Sequence, residues 1–167
     1  METRESPPLR RGWTTGACAT AAVRAGLCAL WGGAQLDEVQ ITLPKGERPV
    51  FKIAHREVTA DWVEIGITKD AGDDPDVTHG ALIIARVARS LGGVRFHAGD
   101  GVGTITKAGL PIAVGEPAIN PVPRQMMQAE VEKLADRYGQ PPDVDITIYS
   151  PRLPGAHAGN LIERSLH

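Results

Sequence analysis

The stretch from Lys69 to Gly80 constrains the course of this chain more than any other. Asp70, Asp73, Asp74 and Asp76 fall within seven positions there, threaded by Gly72 and Pro75 and followed by Thr78 and His79. Four carboxylates that close repel one another unless a cation, backbone donors or water compensate. Asp and Gly favour turns, and Pro75 fixes one. Ahead of the run, Val63, Ile65 and Ile67 alternate with Glu64, Gly66 and Thr68, the pattern of a half-buried strand over Trp62–Thr68. Behind it, Ile83, Val87 and Leu91 recur at helical spacing over Ala81–Leu91, before Gly92-Gly93. The expectation is an acidic loop that leaves a strand end and enters a helix start, and such loops tend to carry function.

Part of the run has a plainer explanation. Asp76 or Thr78 can cap the following helix, and acidic residues suit a helix N-terminus. Capping accounts for one or two of these side chains, not four. An EF-hand needs acids at alternating positions and a distal Glu, which does not follow. A diphosphate–Mg²⁺ site built on adjacent aspartates would need an acid at Val77.

The chain has 167 residues and is 42% hydrophobic, enough for one core with at most a small appendage. A net charge of −2, with no basic block or aromatic ladder, gives no basis for broad nucleic-acid binding. Met1 to Pro8 is charged and does not read as a signal peptide, and no apolar run approaches the roughly 20 residues of a membrane span. Cys18 and Cys28 are ten apart in one expected helix, about 15 Å along its axis, too far for a disulfide. They read as small buried residues in a reducing cytoplasm.

Thr14-Thr15-Gly16 opens the first expected helix, which runs to about Trp31 and stops at Gly32-Gly33. Its apolar positions, from Cys18 to Ala29, are nearly all small, so it should approach a neighbour closely. Its start offers hydroxyls and backbone N–H groups suited to an anion, although an ordinary threonine cap explains the same residues. Val39–Leu43 and Val50–Ala54 are short strand candidates, joined by Pro44-Lys45-Gly46. Arg86, Arg89 and Ser90 fall on a solvated face of the expected second helix.

Val94–Phe96 leads into Gly99-Asp100-Gly101-Val102-Gly103-Thr104. This is no dinucleotide fingerprint, because β-like residues and not a helix follow the glycines. Asp100-Gly101 signals a hairpin, and three alternating glycines suggest a backbone that a ligand approaches closely. Lys107 follows within reach of an anion. Four prolines stiffen Gly109–Pro123 into an ordered loop with Glu116, Asn120 and Arg124 as its polar members. A third helix is expected over Arg124–Tyr138, a last strand over Val144–Tyr149 and a poorly ordered tail over 149–167. Three helices and about six short strands give α+β: a mixed sheet with helices packed on one face, a two-layer sandwich.

In order and spacing, Thr14–Ala19, Lys69–Gly80, Gly99–Thr104 and the proline loop Val114–Arg124 closely resemble the CbiD family, cobalt-precorrin-5B C1-methyltransferases of anaerobic cobalamin biosynthesis. The likeness spans about Leu9 to Ile148, a single domain over 9–148. It implies methyl transfer from S-adenosylmethionine to C1 of a cobalt-bearing, partly built corrin, giving cobalt-precorrin-6A. The cobalt is then substrate, and no protein metal site is implied. Carried onto this chain, Asp70 and His79 are the candidate proton acceptors. The substrate-contacting candidates are Thr14, Thr15, Gly16, Lys69, Asp73, Asp74, Asp76, Asp100, Gly101, Thr104, Lys107, Asn120 and Arg124. Cations and N–H donors would hold acetate and propionate arms, while the aspartates face the sulfonium or orient the ring edge. Family members run well beyond this length, and their further glycine-rich region is the expected cofactor-binding part. This chain therefore reads as a shortened form. The competing expectation is a non-enzymatic module that binds an anionic tetrapyrrole or a divalent cation through the acidic loop. Partners are expected to be small molecules, with self-association left open.

Overall fold

The computed structural model describes residues 13–69, 81–102 and 117–151. Helix α1 (Thr15–Gly32) comes first, followed by β1 (Glu38–Gln40), β2 (Val50–Lys52), β3 (His55–Val58), β4 (Trp62–Thr68), β5 (Leu82–Arg89) and β6 (Val94–Ala98). Helix α2 (Pro121–Tyr138) and β7 (Val144–Tyr149) complete the order. Five strands form one sheet in the order β3-β4-β5-β7-β6, antiparallel throughout except for the parallel pair β6–β7. β1 and β2 make a separate antiparallel pair whose partnered Val39 and Phe51 both point into the core.

The expected helix over Ala81–Leu91 is instead β5. Ile83, Ala85 and Val87 are buried while Leu82, Ile84 and Arg86 are only half-buried, and Leu91 is 100% exposed. A repeat of four satisfies a helical turn and also two strand periods, so Ile83 and Val87 fitted both. β-branched residues and pairing with β4 and β7 on either side decided for the strand. The acidic run therefore joins two antiparallel neighbours, and the cap proposed for Asp76 or Thr78 loses the helix it needed.

One face of the sheet presents Val63, Ile65, Ile67, Ile83, Ala85, Val87, Val144, Ile146 and Ile148, all buried. α1 lies on it so closely that a Cβ on Gly26 would meet Val87 Cγ2 at 2.9 Å. Each fully buried Ile or Leu contributes about 1.5–3 kcal/mol. α2 packs along α1: Gly16 meets Pro123, Arg24 meets Glu130 and Gly32 meets Tyr138. Three contacts in the same order along both helices mean that they run in the same direction. Both helices lie on one side of a mixed sheet, the α+β arrangement expected.

Cys18 and Cys28 are buried thiols that do not form a disulfide, as expected. The Cys28 thiol beside the Tyr138 hydroxyl pushes its pKa above the usual tyrosine value.

Candidate functional site

The chain direction of β4, β6 and β7 brings Lys69, Gly99 and Ser150 to one edge of the sheet. Backbone bonds tie that edge together: Lys69 N–H donates to Ala81 at 2.6 Å, Gly99 to Ile148 at 2.8 Å and Ser150 to Asp100 at 2.9 Å. Both helices begin at the same edge. Neither has an acidic residue in its first turn, so no side chain there balances the positive ends of two parallel helix dipoles.

Thr14 caps α1 in extended conformation, its Oγ1 accepting from Ala17 N–H at 3.0 Å. Cys18 N–H returns to the Thr14 carbonyl at 3.0 Å, and Thr20 Oγ1 donates to the Gly16 carbonyl at 2.8 Å. The cap leaves the N–H groups of Thr15 and Gly16 outside the helix ladder. Thr15 is 1% exposed, and its hydroxyl has no hydrogen-bond partner among the described residues. Gly16 is fixed by contact: a Cβ there would sit 2.6 Å from Pro123 Cγ.

Lys69 is buried at the end of β4. Burial pushes its pKa below the usual lysine value, and the nearby Cys18 thiol partly offsets this. Asn120 is the N-cap residue of α2 without a side-chain cap bond, and prolines open the helix. Arg124 donates through Nε to the Ile119 carbonyl at 2.8 Å and through Nη2 to Pro117 at 2.7 Å, with its guanidinium 5.3 Å from the Phe96 ring. It clamps the end of the proline loop onto the body. Asp100 and Gly101 form a tight turn, closed by Val102 N–H to the Gly99 carbonyl at 3.1 Å. Gly101 has φ +84°, which favours glycine.

Of the candidate residues, the structure thus brings Thr14, Thr15, Gly16, Lys69, Asp100, Gly101, Asn120 and Arg124 to one edge of the molecule. Asp70, Asp73, Asp74, Asp76, His79, Thr104 and Lys107 lie outside the described residues, as does the expected tail beyond Pro151.

A second polar cluster, on the sheet face away from the helices, escaped the sequence reading. Arg86 grips Glu64 Oε2 through Nε at 2.8 Å and Nη2 at 2.5 Å, and its guanidinium lies 3.9 Å from the centre of the Trp62 ring. His55 Nε2 lies 3.3 Å from Glu64 Oε1. His55, Glu57 and Glu64 each place one ligand atom within 4.8 Å of the others, yet Glu64 already has Arg86 as its cation. Arg86 and Arg89 are not merely solvated, since Arg89 donates to the Leu30 carbonyl at 3.0 Å.

The family model for CbiD matches residues 2–156. The chain belongs to the CbiD family. Cobalt-precorrin-5B C(1)-methyltransferase from Burkholderia cenocepacia is 58% identical over 149 residues, covering 88% of this chain and 41% of the relative. The Paramagnetospirillum magneticum protein of the same name is 54% identical over 145 residues, covering 86% and 41%. The crystal structure of a cobalamin biosynthesis protein (cbiD) from Archaeoglobus fulgidus matches with TM-score 0.64 at 24% identity, covering 88% of this chain and 45% of that one. The chain thus spans about two fifths of the length of these curated CbiD relatives. Among the described residues, no helix is long and apolar enough to cross a membrane.

Proposed function

We propose that this CbiD chain takes part in S-adenosylmethionine-dependent methylation of C1 of cobalt-precorrin-5B, giving cobalt-precorrin-6A in cobalamin biosynthesis. The observation that carries the reading is 58% identity to a cobalt-precorrin-5B C(1)-methyltransferase across 88% of this chain. The chemistry asks for little beyond positioning: a nucleophilic ring carbon takes the sulfonium methyl in line as the carbon–sulfur bond breaks. The edge where both helices begin suits a substrate bearing acetate and propionate arms. It gathers the N-termini of two parallel helices, neither with an acid in its first turn, and buried Lys69. The carboxylates of Asp70, Asp73, Asp74 and Asp76 supply the opposite charge for the sulfonium, and Asp70 or His79 takes the released proton. Asp100, Gly101, Thr104, Lys107, Asn120 and Arg124 complete the contact surface. The partners are small molecules of the cytoplasm, and neither nucleic acid nor membrane is among them.

Incubating the protein with cobalt-precorrin-5B and methyl-labelled S-adenosylmethionine tests this reading. Label transfer, or tight binding of the corrinoid without transfer, supports it. Failure of both overturns it. If transfer is observed, Asp70→Asn and His79→Ala separate the two candidate proton acceptors.

A further inference from the structure

Three threonines line the start of α1, with Thr14 as its cap, and the hydroxyls of two of them are hydrogen-bonded. Thr14 Oγ1 caps Ala17 N–H at 3.0 Å, and Thr20 Oγ1 donates to the Gly16 carbonyl at 2.8 Å. Thr15, 1% exposed at the first helical position, has a hydroxyl with no partner among the described residues. Native proteins pair almost all buried polar groups, and an exception needs a cause. Its neighbours say what the missing partner is. The N–H groups of Thr15 and Gly16 lie beyond the reach of the helix ladder. No acid occupies the first turn, and Lys69 is buried close enough to α1 to feel Cys18 in that turn. The adjoining start of α2 offers fewer donors, because Pro121 and Pro123 have no N–H. The donors of Thr15 and Gly16 converge here, and the first turn of α1 holds no acid. The complementary group is an acceptor-only anion, small and planar enough to meet a hydroxyl and two amides together.

We propose that the start of α1 is a carboxylate seat, in which the Thr15 hydroxyl and the N–H groups of Thr15 and Gly16 donate to one carboxylate of a bound reactant. The proposal rests on the methyltransferase reading for its ligands, which offer this chemistry from two sources: a side arm of the tetrapyrrole or the amino-acid carboxylate of the methyl donor. Thr15→Val keeps the shape and the β-branch and removes only the hydroxyl. Thr15→Ser restores the hydroxyl.

Calorimetric titration of wild type and both variants with uroporphyrin, a tetrapyrrole bearing acetate and propionate arms, and with S-adenosylhomocysteine tests the seat. Thr15→Val should weaken one of the two by about tenfold, the worth of one hydrogen bond to a charged acceptor, while Thr15→Ser stays near wild type. The ligand that weakens identifies the source. A further readout separates this from a structural role: Thr15→Val should unfold at a higher temperature than wild type, because a buried unpaired hydroxyl is removed. Wild-type affinity for both ligands in Thr15→Val overturns the seat, as does failure of wild type to bind either. Methyl transfer by wild type in the labelled assay then shows that the functional reading stands without it.

Discussion

Gly16 and Pro123 meet where the two helices begin: a Cβ on Gly16 would lie 2.6 Å from Pro123 Cγ and 3.0 Å from its Cβ. A proline ring cannot swing aside, so Gly16→Ala must push the helix starts apart. Overpacking of this kind costs about 1–3 kcal/mol, against which alanine returns about 1 kcal/mol of helix propensity. The expected net loss is up to about 2 kcal/mol in urea unfolding, together with weakened ligand binding at the displaced edge. Unchanged stability would show that the helices separate freely.

Arg24 and Glu130 hold the middle of the same helix pair at 2.5 Å, with side chains 19% and 6% exposed. Glu130→Ala strands a largely buried guanidinium and should cost about 3 kcal/mol. Replacing both partners with methionine should recover most of that loss, because two apolar side chains need no pairing. Chemical denaturation of the two single variants and the double variant measures the coupling.

How much of this was legible in the sequence follows from which periods are unique. Trp62–Thr68 and Val144–Tyr149 alternate with β-branched residues, and both strands stand at the expected bounds. The small residues expected from Cys18 to Ala29 foretold a close approach, which is seen where a Cβ on Gly26 would meet Val87 Cγ2 at 2.9 Å. Ile83 and Val87 did not decide, because their spacing of four belongs to both helix and strand. β3 passed unnoticed because His55-Arg56-Glu57-Val58 is an edge strand with one apolar residue. α2 begins at Pro121, ahead of the expected Arg124, since proline is tolerated in a first turn. The unpaired hydroxyl of Thr15 and the grip of Arg86 on Glu64 depend on which distant elements come together, and no local pattern encodes that.

The grip of Arg86 on Glu64 is geometric as well as electrostatic. Two nitrogens reach Oε2 while the guanidinium stacks on Trp62 at 3.9 Å. Lysine keeps the charge but has neither the fork nor the flat face. Arg86→Lys should therefore lower stability by about 1 kcal/mol and Arg86→Met by about 2 kcal/mol. The difference between them should shrink in high salt, which screens the charge of lysine but not the stacking. Denaturation midpoints at low and high salt measure both effects.

Lys69 gives the pH dependence its sign. Burial lowers its folded pKa below the unfolded value of 10.5, so between the two values the unfolded chain binds more protons than the folded one. Stability contributed by this residue must then rise with pH across that window and stay flat below it. Lys69→Met removes the titration, so wild type should gain on the variant as pH climbs toward 10.5. Parallel unfolding curves at a series of alkaline pH values read the difference directly, and a difference that falls with pH would reverse the assignment. A carboxylate bound at the start of α1 adds negative charge near Lys69 and favours its protonated form, which raises its pKa again. Binding within the same window should then take up protons from solution, measurable as a calorimetric heat that scales with the ionisation enthalpy of the buffer. In Lys69→Met that buffer dependence should vanish while the hydrogen bonds to Thr15 and Gly16 persist, which separates the charge of the edge from its donors.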